Sequence, residues 1–279
     1  MVPPGVTSLA GAHMDRIEAT ELYRKLAAQQ KLPAFDSFAR DTGFDPRRDV
    51  REILFANTAT GGVLLARGTF SLHPPVGDTK PLRHGAYTIQ TTRGAGFCIL
   101  DATLAAAGDL KSVESALDEW TRGAHSGAQP LLAHAREIGP DSMFWAVSTT
   151  FTGFLADNIP LVRGGIDFSK IFRGLQNTWM EANFADGVKG VMHGAAATDQ
   201  DAANLRDTAK GLVGLGRLSV PQDYPEMLRM WDGITVEQNS RDVTIRADIP
   251  QELVDQLVRM VGSIQGGRGR GPAPARPVR

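Results

Sequence analysis

TWMEANFADGVKGVMHGAAAT, residues 178–198, contains the strongest short turn signal in the chain. The signal is the pair Asp186-Gly187, because aspartate and glycine accept the positive φ angles of a two-residue β-hairpin turn. Apolar and small residues flank the pair on both sides. The stretch therefore predicts two antiparallel strands, the second of which ends in the small residues 194–197.

A helix follows this hairpin, and the same order of elements occurs earlier in the chain. DQDAANLRDTAKGLVGLGRL, residues 199–218, is typical of a helix that begins with acidic residues. LAAAGDLKSVESAL, residues 104–117, also combines a strand of small residues with an acidic-capped helix. We therefore predict an α+β fold built by internal duplication. Its antiparallel strands form either two sheets or one long sheet from both halves, with helices packed on one face.

The duplication divides the chain into a first α+β half, residues 1–139, and a second α+β half, residues 140–265. Turn residues and hydrophobic periodicity define the remaining elements. Further strands are predicted at 6–14, 53–59, 62–70, 86–92, 96–108, 142–150, 234–239 and 242–249. Further helices are predicted at 15–30, 33–41, 109–123, 225–233 and 250–264, and residues 71–85 are predicted to be a loop.

Six charged residues are concentrated in TGFDPRRDVREI, residues 42–53. Asp45 followed by Pro46 indicates a helix start, since a carboxylate caps the first turn and proline suits its first position. Gly43 suits the end of a preceding helix, and Asp49 lies where the helix dipole favours an anion. We interpret the stretch as a structural joint, and an active-site loop is the less favoured alternative.

Composition excludes several classes of function. The chain has 279 residues, a formal net charge of −1 and one cysteine, Cys98. Without a basic excess, nucleic-acid binding through the whole surface is not expected. A single cysteine excludes an intramolecular disulfide and a cysteine-based zinc site, and its apolar surroundings predict a buried side chain. No apolar run reaches the roughly 18–20 residues that span a bilayer, and residues 1–13 lack the pattern of an export signal.

Residues that could carry acid–base chemistry are few and are not linked by spacing. No histidine pair has metal-ligand spacing, and no P-loop or nucleophile-elbow motif occurs, so neither a metal nor a cofactor is predicted. GLVGLG, residues 211–216, interrupts a helix rather than opening one after a strand, which is not the dinucleotide-binding context. His13, His193, Asp101 and Glu181 remain as weak catalytic candidates because all lie in or near strands.

Two segments outside the regular elements have alternative interpretations. Residues 151–174 contain ten large apolar side chains, although Pro160 and the pair Gly164-Gly165 interrupt any periodicity. They are predicted to be a layer over the core or, as the alternative, a mobile flap or partner-binding surface. Residues 266–279 are rich in glycine, arginine and proline, and predict a disordered, solubilising tail.

The sequence also resembles a family of uncharacterised bacterial proteins. The resemblance is carried by TGFDPRRDV, residues 42–50, and by the segments DAANLRDTAKGLVGLGRL (201–218) and IPQELVDQLV (249–258), and it covers most of the chain. Relatives often have an N-terminal export segment, so the resemblance implies a start site upstream and a location outside the cytoplasm. No activity is known for the family, and no catalytic residue is transferred.

Two functional hypotheses follow. The first is a non-catalytic binding or scaffold protein of unknown ligand, associated with the cell envelope and contacting a partner through residues 151–174. The second is an enzyme of unrecognised type, with the four acid–base candidates meeting at the junction of the two halves. Two or more of the four within hydrogen-bond reach in one pocket would favour the enzyme.

Overall fold

The computed structural model describes residues 1–29, 45–70, 79–123, 129–150, 175–220 and 225–267. Within these ranges the protein is an α+β structure with one twelve-stranded sheet, eight α-helices and one 3₁₀ turn. The strands are β1 (Val6–His13), β2 (Val50–Thr58), β3 (Gly61–Gly68), β4 (Lys80–His84), β5 (Tyr87–Thr92), β6 (Ala95–Asp101), β7 (Leu104–Asp109), β8 (Phe144–Thr150), β9 (Leu175–Asn183), β10 (Val188–Ala196), β11 (Ile234–Asn239) and β12 (Asp242–Ile249). The helices are α1 (Met14–Glu18), α2 (Glu21–Gln29), α3 (Pro46–Asp49), α4 (Leu110–Arg122), α5 (Gln129–Ala135), α6 (Asp199–Leu218), α7 (Leu228–Asp232) and α8 (Gln251–Gly267), with the 3₁₀ turn at Pro225–Met227.

All neighbouring strands of the sheet are antiparallel, in the order β11-β12-β10-β9-β8-β1-β2-β3-β7-β6-β5-β4. The two predicted halves meet at the pair β8-β1, where Leu9 lies opposite Val147 and Gly11 opposite Trp145. Of the two predicted arrangements, the single long sheet is therefore the one observed. The hairpin predicted around Asp186-Gly187 is confirmed as β9-β10.

The sheet has helices on both faces. We call the face that carries Leu9 and Val147 the front face. Helices α4 and α5 cover it, because their buried side chains Val113, Leu117 and Leu131 share a core with those two residues. The opposite, back face is covered in the second half by α6, whose Ala202, Leu205 and Ala209 pack against Leu175, Val236 and Val243.

Helix packing on one face was a wrong prediction for this sheet. Apolar periodicity tells which side of a strand is buried, but it does not relate that side to the faces of a sheet assembled from distant segments. A twofold axis that relates the antiparallel strands β8 and β1 runs perpendicular to the sheet, so it maps each face of the sheet onto itself. The units β7-α4 and β10-α6 lie on opposite faces, so such an axis cannot relate them, and the structure does not show the predicted duplication.

Two of the predicted helices, α4 and α6, begin with side-chain caps. Asp109 accepts hydrogen bonds from the backbone N–H groups of Ser112 (3.0 Å) and Gly62 (2.7 Å), so it begins α4 and also fixes the β2-β3 turn. The hydroxyl of Thr198, rather than the acidic residue after it, accepts from the Asp201 N–H at 3.1 Å at the start of α6.

The charged stretch before β2 forms the structural joint predicted from its sequence. Asp45 accepts a hydrogen bond from the Arg47 N–H at 3.0 Å and pairs with the Arg47 guanidinium at 2.8 Å, which lowers the pKa of Asp45. The Asp45 N–H donates to Asp49 at 3.0 Å, and the paired Arg48 guanidinium lowers the pKa of Asp49. Gly43 lies outside the described residues.

Three element predictions are wrong in detail. Residues 15–30 form two helices because Thr20 accepts from the Tyr23 N–H and donates to the Ile17 carbonyl, which ends α1 and caps α2. Residues 96–108 form two strands around an Asp101 turn. The predicted loop 71–85 contains β4. On α4, Trp120 is 44% exposed, whereas Ala116 and Leu117 are buried.

Helix α8 closes the described chain. It contacts α2, where Lys25 pairs with Asp255 at 2.6 Å, and it ends at Gly267, two residues into the predicted tail. The predicted helix 33–41, the segment 151–174 and residues 268–279 lie outside the described residues. Within the described ranges, every helix is too short or too polar to cross a lipid bilayer.

Two glycines of α6 give a matched test of how this helix packs against Trp231. A Cβ atom at Gly214 meets no atom within 4 Å, whereas a Cβ atom at Gly216 would collide with the Trp231 ring. We expect Gly214→Ala to raise the free energy of unfolding by about 0.5–1 kcal/mol through helix propensity, and Gly216→Ala to lower it by about 1–3 kcal/mol through overpacking. Urea unfolding measures both, and equal effects of the two variants would contradict this packing.

Candidate functional site

The four acid–base candidates have separate partners in the structure. His13 lies 3.4 Å from the carboxylate of Glu52. Asp101 contacts Thr103, Glu181 contacts the turn 139–142, and His193 contacts Thr244. No hydrogen bond or ion pair within the described ranges joins any two of the four. Glu181 and His193 are the closest in the fold, since both lie on the front face in the adjacent strands β9 and β10.

Asp101 forms the β6-β7 turn. Its carboxylate accepts hydrogen bonds from the backbone N–H of Thr103 at 2.7 Å and from the Thr103 hydroxyl at 2.8 Å. These bonds favour the charged carboxylate and lower the pKa of Asp101. The residue is therefore explained by local turn geometry.

Glu181 fixes the turn that precedes β8. One of its carboxylate oxygens, Oε2, accepts from the backbone N–H of Gly139 at 2.9 Å and from the Ser142 hydroxyl at 2.5 Å. Hydrogen bonds to a charged acceptor are short and strong. The carboxylate thus connects the middle of β9 to a chain segment about forty residues away.

The same turn is held from two further directions. The Arg16 guanidinium donates to the carbonyls of Pro140 (2.9 Å) and Asp141 (3.2 Å), and the Asn183 side-chain amide donates to the Asp141 carbonyl at 2.7 Å. With Glu181, three side chains from α1 and β9 therefore bind residues 139–142. The turn forms a fixed ridge on the front face.

His193 lies beside this ridge in a small polar and aromatic network. Its ring stacks on Trp179 with 4.0 Å between ring centroids, and Nδ1 is 2.9 Å from the Thr244 hydroxyl. Burial lowers the pKa of His193, and the nearby Arg246 lowers it further, against the opposite effects of Asp242 and Glu181. The neutral imidazole is therefore favoured near pH 7.

The front-face side chains of β9, β10, β11 and β12 form what we call the open face. Directly opposed residues share a face, which aligns Trp179, His193, Thr244 and Glu237 in one row and Glu181, Val191, Arg246 and Thr235 in the next. The outer members Thr235, Glu237 and Arg246 are exposed. The open face therefore changes from aromatic beside the ridge to polar at the sheet edge.

A groove of about 380 Å³ lies where the open face meets the ridge. Its size is within the range of small-molecule sites. The ridge forms one wall, and the strands contribute Glu181, Val191, Lys189, Arg246 and Asp248, among others. Of the four sequence candidates, Glu181 is the one that lines the groove.

Sequence reasoning missed the other residues of this groove. Lys189, Val191 and His193 alternate along β10, and Thr244, Arg246 and Asp248 alternate along β12. This period of two was a usable signal for one uncovered strand face. Strand β12 was not assigned as the neighbour of the predicted hairpin β9-β10, so the convergence of these side chains was not predicted.

Other chemistry is not indicated by the described residues. No group of three or more histidine, cysteine, aspartate or glutamate side chains within those ranges is arranged to hold a metal ion. Cys98 is buried, as expected, and burial raises the pKa of its thiol to about 11. A thiol with that pKa is almost entirely protonated near pH 7, so it is a poor nucleophile.

Comparisons with known proteins give no functional assignment. No model of a protein family matches the chain, and no curated protein matches it either. Three solved crystal forms of TP0453 have a low structural similarity to this chain. Crystal form III has a TM-score of 0.48 at 7% identity, covering 94% of this chain and 96% of that chain.

Crystal form I has a TM-score of 0.46 at 10% identity, with 94% and 95% covered. Crystal form IV has a TM-score of 0.49 at 7% identity, with 94% of each chain covered. These similarities are too low to carry a conclusion about fold or function.

The lowered pKa of His193 predicts a pH-dependent stability. A histidine in the unfolded chain titrates near 6.5, so the unfolded state takes up this proton at a higher pH than the folded state. The free energy of unfolding should therefore fall as the pH drops below about 6.5, and His193→Gln should remove that part of the decline. Urea unfolding from pH 7.5 to 5 measures it; identical slopes for the two proteins would contradict it.

The role of Glu181 in the ridge predicts a graded loss of stability. Glu181→Ala leaves the Gly139 N–H and the Ser142 hydroxyl without their acceptor, which should lower the free energy of unfolding by about 1–3 kcal/mol. Glu181→Gln keeps one acceptor oxygen and should lose less. Thermal unfolding of both variants is the measurement, and an unchanged Glu181→Ala protein would exclude this role.

Proposed function

We propose that the protein is a non-catalytic binding protein whose ligand contacts the open face and its groove. The observation that carries the proposal is a built recess on the open face, where the ridge and strands β9, β10 and β12 line the groove. Three side chains fix the ridge, and the stacked Trp179–His193 pair lies next to it. Preorganised surfaces of this kind reduce the free energy lost when a ligand is immobilised.

Within the described ranges, the open face differs from the parts of the sheet that pack against helices. The front face of the first half lies under α4 and α5, and the back face of the second half lies under α6. On the open face, Lys189, Arg246 and Asp248 extend to solvent around Val191, which is half-buried. Trp179 also packs against the front-face core, so the ridge held by long-range hydrogen bonds is the feature that a plain solvated face does not need.

The alternative is an enzyme of unrecognised type at the junction of the two halves. That hypothesis needs at least two of His13, His193, Asp101 and Glu181 within hydrogen-bond reach in one pocket. Each of the four instead has its own structural partner, and Glu181 uses its Oε2 atom to hold the ridge. These assignments support binding over acid–base catalysis.

The test combines ligand detection with a check for turnover. The full chain is incubated with a defined mixture of metabolites, bound compounds are identified by mass spectrometry after gel filtration, and their sites are located by hydrogen–deuterium exchange. We expect a ligand that is recovered chemically unchanged and slows exchange in β9, β10 and β12.

Trp179→Phe should weaken binding of that ligand. Trp120→Phe, which makes the same change on the covering helix α4, should leave binding unchanged. Conversion of the compound during incubation would favour the enzyme. Protection confined to other strands would remove the open face from the proposal.

A further inference from the structure

The charges of the groove show which kind of ligand it suits. Lys189 on β10 and Arg246 on β12 are diagonal neighbours on the open face, since Lys189 lies opposite Asp248 and Arg246 lies opposite Val191. Diagonal pairs are about 7–8 Å apart, so two long basic side chains at these positions can reach one common group. Both residues are exposed and line the groove.

Neither basic group has an ion pair within the described part of the chain. Three carboxylates also line the groove, those of Glu181, Asp141 and Asp248. Glu181 accepts two hydrogen bonds from the ridge, and the Asp141 carboxylate is 93% exposed and lies 4.0 Å from Arg16. Asp248 is exposed and lies opposite Lys189, but no ion pair joins the two side chains. Lys189 and Arg246 therefore keep donors that a bound anion can accept from.

The rest of the groove suits a compact organic body rather than a bare ion. Val191 lies between Glu181 and Arg246 in its row, and the Trp179–His193 stack lies in the next row towards the centre of the sheet. An apolar or aromatic group that extends from the two cations would pass over Val191 towards these rings. Stacking and apolar contact would then add to the ionic contact.

We propose that the groove binds a small organic anion, with its carboxylate or phosphate group between Lys189 and Arg246 and its apolar body over Val191 towards Trp179. This inference rests on the proposed binding function and specifies the ligand class for the same site. Recognition depends on both parts. The two cations select the negative charge, and the ridge forms one wall beside the body.

The experiment uses isotope-labelled full-length protein, two-dimensional NMR and four probes: benzoate, phenyl phosphate, benzyl alcohol and inorganic phosphate. We expect benzoate or phenyl phosphate to shift amide signals of residues 181–183, 189–191 and 246–248, which line the groove. Benzyl alcohol, which lacks the charge, and inorganic phosphate, which lacks the ring, should each bind at least tenfold more weakly. Comparison of the two aromatic anions distinguishes a carboxylate ligand from a phosphate ligand.

A matched pair of double variants separates specific contact from general charge. Lys189→Gln with Arg246→Gln removes both cations from the groove, and Lys80→Gln with Arg83→Gln makes the same charge change on the far edge strand β4. The first double variant should weaken binding of the aromatic anion at least tenfold and abolish the salt dependence of that binding. The second should leave the affinity and its salt dependence unchanged.

Equal weakening by the two double variants would overturn the inference, as would benzyl alcohol binding as tightly as benzoate. In the latter case the binding function stands and the anion preference fails. A metabolite that binds unchanged but away from the open face and its groove would instead refute the proposed site itself.

Discussion

The antiparallel pairing of β1 with β8 is the interaction on which the rest of the structure depends. It joins strands separated by more than 130 residues and turns two groups of strands into one sheet. Gly11 makes the pairing compatible with the core, since any side chain there would collide with the indole of Trp145 on the opposite strand. Leu9 and Val147 then place the front-face core at the same junction.

Coverage of the sheet on alternate faces determines where the protein presents polar chemistry. In an antiparallel sheet one face can stay solvated if its side chains are polar. Helix α6 packs on the back of the second half, and α4 and α5 pack on the front of the first half. The open face is the front of β9, β10, β11 and β12, and the ridge at residues 139–142 borders it beside Glu181 and Asn183.

The local features of this fold were readable from the sequence, whereas its long-range features were not. Asp45 and Asp109 predicted helix starts because a cap depends on a few neighbouring residues, and Asp186-Gly187 predicted a hairpin for the same reason. The groove depends on Arg16, Glu181 and Arg246, which come from three distant segments. Polar side chains at alternate positions look alike whether they bind a ligand, hold a turn or simply face solvent.

The hydrogen bonds from Arg16 to the ridge also bear on how the chain folds during synthesis. The guanidinium is made early, but its acceptors at residues 140 and 141 follow more than 120 residues later. Until then, one edge of β1 has no neighbour, and unpaired strand edges promote aggregation. Long-range pairing of this kind slows folding, so β1 can complete its pairing only after β8 has been synthesised.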